Sequence, residues 1–384
     1  MNRRYWWLIG LGVLFFAIAV GVRTCRQPDI VSEDTNSQNE DGIPGLTLRD
    51  VTLEQQNEQG QLIWKVDAEA ATYSPDQKEA NLVNPQGEFY QDGALLYRVK
   101  ADRGIIQNDG QVVLLEGNIV ATGVQNQMVL RGQTLEWTPE QDLLVVRNGL
   151  TGTHPQVQAQ ANEARVYDRE KRMELIGQVV ATTVVANPQV EPWLKLQGEI
   201  LQWQWEQETL TSNQTTRVER FENAQVTEVL VGQNSLVELA ANRVTLTEAV
   251  TAQLLEVPLT MTSRRAVWEV ETQIIRAAEA VRVVNGAQQI TVTSQNGEFN
   301  LATQMAYFTQ DVLAIAAKNN GRLTTDRLSW NLEDQTVLAE GAVNYQQSDP
   351  QLKIQGPRAR GRIEQQTVVV DGGQVVTEIV PNFN

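Results

Sequence analysis

The sequence predicts an all-β protein: an N-terminal membrane helix, then two facing antiparallel sheets made of repeats of about 30 residues. Three observations predict it. Residues 5–22 form one uncharged apolar run. The remainder is rich in Val, Ile, Leu, Thr and Gln, with no long amphipathic helical stretch. A short corner phrase ending in a large apolar residue returns at near-constant spacing.

The chain begins MNRR and continues YWWLIGLGVLFFAIAVGV, Tyr5 to Val22. Eighteen uncharged residues are at the lower limit for crossing about 30 Å of hydrocarbon. Tyr5, Trp6 and Trp7 suit the interfacial aromatic belt, and Arg3, Arg4 and the amino terminus favour an N-in orientation. Residues 1–4 are then cytoplasmic and the bulk lies outside the cytoplasm. Two alternatives stay open: cleavage after the Ala17-Ile18-Ala19 motif, and lipoprotein processing before Cys25, which Arg23 disfavours. Residues 23–45 are polar and acidic without apolar periodicity, as expected of a flexible tether.

The net charge is −16, from 47 acidic and 31 basic residues. Nucleic acid is therefore excluded as a natural partner, because phosphate binding needs a basic face. With one cysteine the chain forms no internal disulfide.

The repeat phrase ends at Tyr73, Ile106, Trp137, Tyr167 and Trp203, then at Trp268, Phe299, Trp330 and Ile363. Spacings are 33, 31, 30 and 36 residues in the first run and 31, 31 and 33 in the second. Between the runs, Leu246 in AANRVTL is out of phase. A fixed period in an all-β chain means stacked turns, each burying its apolar face on its neighbours. A propeller is the structural alternative, but its blades need about 40–50 residues. In LIWKVDAEA, Leu62, Trp64, Val66 and Ala68 alternate with Lys65, Asp67 and Glu69; in LLYRVKA, Leu95, Tyr97 and Val99 alternate with Arg98 and Lys100. One face is apolar and one wet, so two such sheets enclose a continuous apolar interior. That interior is either a filled core or a groove. About ten turns at about 4.8 Å each give a body of roughly 50 Å.

An anchored N-terminus followed by EQGQLIWKVDA, the Leu82 to Phe89 step, the Ala101-Asp102-Arg103-Gly104 corner and the Leu115 to Ile119 step resembles the LptC family. These are the inner-membrane-anchored components of lipopolysaccharide export. The resemblance is good over Leu46 to Gly123, extends as generic repeat to about Glu206, and beyond that rests on the repeat phrase, shared with LptA-like proteins. It implies an elongated antiparallel β-jellyroll open along one seam, with lipid A acyl chains in its apolar groove. It also implies docking on the inner-membrane ABC transporter complex of the Lpt system, and strand pairing with an LptA-like periplasmic bridge protein. The chain departs from the family in length. Residues 46–200 are expected to form a first LptC-like jellyroll, and residues 201–384 a second LptA- or LptC-like one.

On this reading the candidate groove residues are Trp64, Val66, Phe89, Tyr97, Val99, Val113 and Leu115, together with Ile119, Met128, Leu130, Leu135, Trp137, Leu144 and Val146. Candidate partner-pairing edges carry Leu46, Leu48, Val51 and Leu53 at one end, and Val368, Val370, Val375 and Ile379 at the other. Catalytic machinery is not expected. His154 is the single histidine, in a GTHPQ turn; no nucleophile elbow or phosphate loop motif occurs, and no cofactor or metal is implied. A glycosidase-type carboxylate pair is an alternative that sequence leaves open. The expected function is lipopolysaccharide transport from inner to outer membrane, powered by a partner ATPase. The rival is a membrane-tethered β-solenoid scaffold without lipid cargo.

Overall fold

The computed structural model describes residues 46–348, 351–365, 367–372 and 376–379. The expected cytoplasmic segment 1–4, anchor 5–22 and tether 23–45 lie outside the described residues, as do Cys25 and Val375. All described residues belong to one unit, Pro44–Asn384. Among them there is no α-helix.

The chain is a succession of antiparallel strands. They begin with β1 (Thr47–Gln56), β2 (Leu62–Tyr73), β3 (Ala80–Val83), β4 (Gln86–Gln91), β5 (Ala94–Lys100), β6 (Arg103–Gln107), β7 (Val112–Gly123), β8 (Val129–Thr138) and β9 (Leu143–Thr153). The middle holds β10 (Val157–Tyr167), β11 (Arg172–Thr183), β12 (Trp193–Gln204), β13 (Thr209–Ser212), β14 (Thr216–Glu222), β15 (Gln225–Gly232), β16 (Asn234–Glu238) and β17 (Arg243–Leu254). The last are β18 (Leu259–Glu269), β19 (Ile274–Asn285), β20 (Ile290–Asn300), β21 (Met305–Ala316), β22 (Gly321–Asn331), β23 (Thr336–Ser348), β24 (Gln351–Arg362), β25 (Thr367–Asp371) and β26 (Val376–Ile379).

Most long strands are bent in the middle. In β7, β9, β11, β17, β19, β21 and β23 two consecutive residues take positive φ, and the ladder register shifts there. The pairs are Gly117-Asn118, Asn148-Gly149, Gly177-Gln178, Glu248-Ala249, Glu279-Ala280, Gln310-Asp311 and Gly341-Ala342. Such a bulge turns the strand and keeps the same face inward on both sides of the corner. In β7, Val113 and Leu115 are buried before the corner, and Ile119 and Ala121 after it. Elsewhere the corner is a break between short strands, as from β3 to β4 and from β13 to β14.

Each bent strand therefore contributes to two facing layers. In layer I an unbroken cross-strand row runs Val66, Gly87, Val99, Ala121, Leu130, Gly152, Ala159, Ala181, Leu196 and Val218. It continues through Leu230, Ala252, Met261, Val283, Val292, Ala314, Leu323 and Tyr345 to Ile354. In layer II the row runs Tyr73, Ala80, Ile106, Val113, Trp137, Leu144, Val166, Met173, Trp203 and Leu210. It continues through Val237, Val244, Trp268, Ile275, Phe299, Ala306, Trp330, Val337 and Gly361 to Val368. One apolar cluster fills the space between the rows from Trp64 to Ala359.

The rise per repeat, one anchor and the phase near Leu246 differ from expectation. Each repeat adds two strands to each layer, not one, so at about 4.8 Å per strand the layer II row measures roughly 90 Å along the sheet rather than 50 Å. The anchor expected at Tyr167 is Val166, which is buried in the row, while the Tyr167 ring lies 4.0 Å beneath the Arg172 guanidinium. The repeat also does not skip near Leu246: its anchor there is Val237, too small to stand out as one. The expected division near residue 200 falls within β12, and the ladder continues across it to β13 and β14.

At three corners a glycine with positive φ faces an Asx side chain: Gly117 with Asp102, Gly177 with Asn162, and Gly341 with Asp326. A Cβ there would overlap the side chain, whereas Gly149, also at positive φ, has open space around its Cβ position. Gly149→Ala is expected to cost about 1 kcal/mol from backbone strain alone. Gly341→Ala should cost at least about 1 kcal/mol more, measured by urea denaturation of the two variants.

Candidate functional site

The candidate site is the interior between the layers and the mouth opposite the corners, where two rows of turns meet. All fourteen expected groove residues point inward, and none exposes more than 3% of its surface. Layer I supplies Trp64, Val66, Phe89, Tyr97, Val99, Ile119, Met128 and Leu130, and layer II supplies Val113, Leu115, Leu135, Trp137, Leu144 and Val146. The layers meet face to face where the Phe89 ring stacks on Trp137 at 5.5 Å. This part of the interior is filled by its own side chains.

The mouth is tied along the first half. Trp64 Nε1 donates to the Gly110 carbonyl across it at 2.8 Å. Gln91 donates to the Asp142 carboxylate, and Arg169 stands 3.9 Å from Asp92. Tyr97 Oη donates to Asp168 at 3.4 Å and accepts from Asn126 Nδ2 at 3.1 Å, while Lys171 Nζ holds the other Asp168 oxygen at 3.0 Å. Gln156 donates to Glu208, and the His154 ring meets Trp203 edge-on at 4.6 Å. Burial raises the pKa values of the Asp142 carboxyl and the Tyr97 hydroxyl, consistent with a mouth that excludes water. The seam, expected to be open, is thus closed from Trp64 to Glu208, because short polar side chains on the facing turns reach one another.

Beyond Glu208 the described polar ties near the mouth run along one layer, from Lys318 to Gln288 and from Asn319 to Tyr345. Here an apolar cavity of about 120 Å³ opens between the layers. Layer I lines it with Val292, Ala314 and Leu323, and layer II with Leu328, Trp330 and Ala359. Its apolar lining suits a small hydrocarbon.

Between the halves lies a polar feature that the repeat reading missed. Arg220 in β14 and Glu228 in β15 are cross-strand partners in layer I, and both are buried. Arg220 Nη1 lies 2.8 Å from Glu222 and 3.3 Å from Glu228, and donates to Thr227 Oγ1 at 3.1 Å. Burial raises the Glu228 carboxyl pKa against the pull of Arg220. The signal was present in TRVERFE, where Arg220 shares the parity of the buried Val218. At the ends, β1 pairs only with β2, and β25 and β26 pair only with β24 among the described residues. Leu46 and Leu48 are exposed there, while Val51, Leu53, Val368 and Val370 pack against the core. Ile379 pairs with Leu352 through its backbone. No cluster of His, Cys, Asp and Glu that could hold a metal occurs among the described residues.

Two facing layers of bent antiparallel strands around one long apolar interior place the protein in the β-jellyroll class. The chain belongs to the LptC-related lipopolysaccharide-assembly family, whose match covers residues 12–184 and 279–373, more than half of the sequence. That family is a non-enzymatic component of lipopolysaccharide transport, and this chain takes part in the same process. The central segment carrying Arg220 and Glu228 falls between the matched stretches. No curated protein sequence matches. Among solved structures the chain is similar to LptH, the LptA homologous periplasmic component of the lipopolysaccharide transport device from Pseudomonas aeruginosa. The identity is 13%, over 41% of this chain and 94% of that one; the TM-score of 0.20 is too low to bear on the function.

Removing one partner of a buried ion pair leaves the other uncompensated. Arg220→Met, which takes away the cation facing buried Glu228, should cost about 3 kcal/mol in urea denaturation, and Arg220→Met with Glu228→Leu should recover most of it. Burial lowers the His154 pKa below its ordinary 6.5. As pH falls, the unfolded chain therefore takes up this proton first, so stability owed to neutral His154 is present above about 6.5 and lost through the lowered value. Thermal denaturation between pH 8 and pH 5 should show the wild type losing more stability than His154→Asn.

Proposed function

We propose that the protein passes lipopolysaccharide from the inner toward the outer membrane, with lipid A acyl chains held between its two layers and the headgroup left in water at the mouth. The observation that carries this reading is the unbroken pair of apolar rows, loosened into a cavity where the described polar ties no longer cross the mouth. Burying each CH₂ gains about 0.8 kcal/mol, so a chain of roughly a dozen carbons repays separation of the layers without any charged ligand. In the tied first half, acyl chains enter only as the Gln91–Asp142 and Tyr97–Asp168 bonds give way.

On the same reading, residues 5–22 anchor the chain in the inner membrane as a single pass, residues 23–45 tether it, and the folded part lies in the periplasm. Residues 46–200 and 201–384 act as two jellyroll equivalents sharing one ladder. The free edge of β1, with Leu46, Leu48, Val51 and Leu53, faces the ABC transporter complex of the Lpt system. The edges of β25 and β26, with Val368, Val370 and Ile379, add strands of an LptA-like bridge protein, as does the segment with Val375, which lies outside the described residues; unpaired edge groups template such pairing. Transport is powered by the transporter's ATP hydrolysis. The closed interior of the first half favours a second reading, a tethered scaffold without cargo.

Photo-crosslinking side chains placed at inward Tyr97, Leu115, Ile119, Leu323 and Leu328 should capture lipopolysaccharide in cells, and one at outward Lys100 should not. Equal capture on both faces rejects the interior as the lipid path. No capture at any position supports the scaffold.

A further inference from the structure

Four tryptophans stand in the layer II row: Trp137, Trp203, Trp268 and Trp330. Each exposes 4% of its surface or less, and the indole Nε1 of each has no hydrogen-bond partner. Their spacing is regular. Following the cross-strand pairs, every fourth strand of layer II carries one. At about 4.8 Å per strand that is a step of roughly 19 Å. The positions midway between them are Val166, Val237 and Phe299, which bring no donor.

Close packing alone does not account for this pattern. A buried donor left unpaired is destabilising, and Phe299 shows that an aromatic ring without an N–H fits the same row. Trp64 shows the usual solution, an indole at the mouth satisfied by a backbone carbonyl. The four row tryptophans lie at the depth where the strands reach the turns: Trp137 is followed after one residue by the turn at Pro139–Gln141. Trp330 lines the cavity between the layers. An amphiphile with its chain inside and its head in water puts its linking carbonyl at this boundary, the level where amphipathic indoles sit in membranes.

We infer that Trp137, Trp203, Trp268 and Trp330 are a row of hydrogen-bond donors that take the ester or amide carbonyl oxygens of acyl lipids, setting successive stations along the interior. The inference rests on the lipid-carrier reading and names the chemistry of its site. It makes the interior selective for carbonyl-linked chains over plain alkyl chains.

The test uses the full chain in detergent, titrated with a short-chain diacyl phosphatidylglycerol and with its dialkyl ether counterpart, which lacks the carbonyls. The wild type should bind the ester lipid about tenfold more tightly. With all four tryptophans changed to Phe, both lipids should bind equally, at the wild-type ether level, with the melting temperature unchanged or higher. Should the fourfold variant fail to fold, the single variant Trp268→Phe and the indole N–H resonances of nitrogen-15-labelled wild type serve instead. Those of the four row tryptophans should move downfield with the ester lipid and not with the ether. Equal binding of the two lipids by the wild type, a preference that survives the Phe changes, or unmoved indole resonances overturns the donor row and leaves the carrier reading intact. Failure of both lipids to bind overturns both.

Discussion

The fold depends on one constraint: a strand must turn through a corner without exchanging its buried and exposed faces. Side chains alternate strictly along a strand, so a slip of one residue at the bend would send half of each apolar set into water. The corners at Gly117-Asn118, Glu279-Ala280 and their counterparts avoid that slip: each carries one residue more than the neighbouring strand, which offsets the change of inward parity at the neighbour's own corner, as between Leu130 and Leu135 in β8. The facing rows, the single apolar cluster and the mouth between the turns all follow from it.

The interior and the mouth are held by interactions of different kinds. Between the rows the attraction is hydrophobic burial and dispersion, which have no preferred direction and tolerate exchange of one hydrocarbon for another. Across the mouth it is directional, in Trp64 to Gly110, Gln91 to Asp142 and Tyr97 to Asp168. Directional ties concentrate in the first half, and the cavity lies in the second. Between them the Arg220–Glu228 pair interrupts the apolar lining of layer I at the segment that the family match leaves out. The long hydrophobic interior is thus held shut unequally along its length.

Much of this was legible in order of residues because repeats write their geometry into spacing. Trp137, Trp203, Trp268 and Trp330 were readable as inward anchors, and alternation placed Trp64, Val66, Tyr97 and Val99 on the inward face, the rest of the groove set coming with the family resemblance. The less legible parts have particular causes. Tyr167 misled because size was taken for depth, while the buried residue is the smaller Val166. Val237 was passed over for the same reason. Corners with glycine, such as Gly117 and Gly341, have a chemical mark, but Glu248-Ala249 and Glu279-Ala280 adopt the same positive φ with none.

By itself the sequence determined the all-β class, the period near 30 residues, which side chains face inward, and the family, since alternation and spacing are properties of the chain taken one strand at a time. The tertiary structure decided what lies opposite what. That Gln91 meets Asp142, that Tyr97 meets Asp168, that the mouth is tied in one half, and that four indole N–H groups are left without partners all depend on how one layer is set over the other. That offset arises from bending, twist and packing summed over many strands, and local pattern carries no record of the sum.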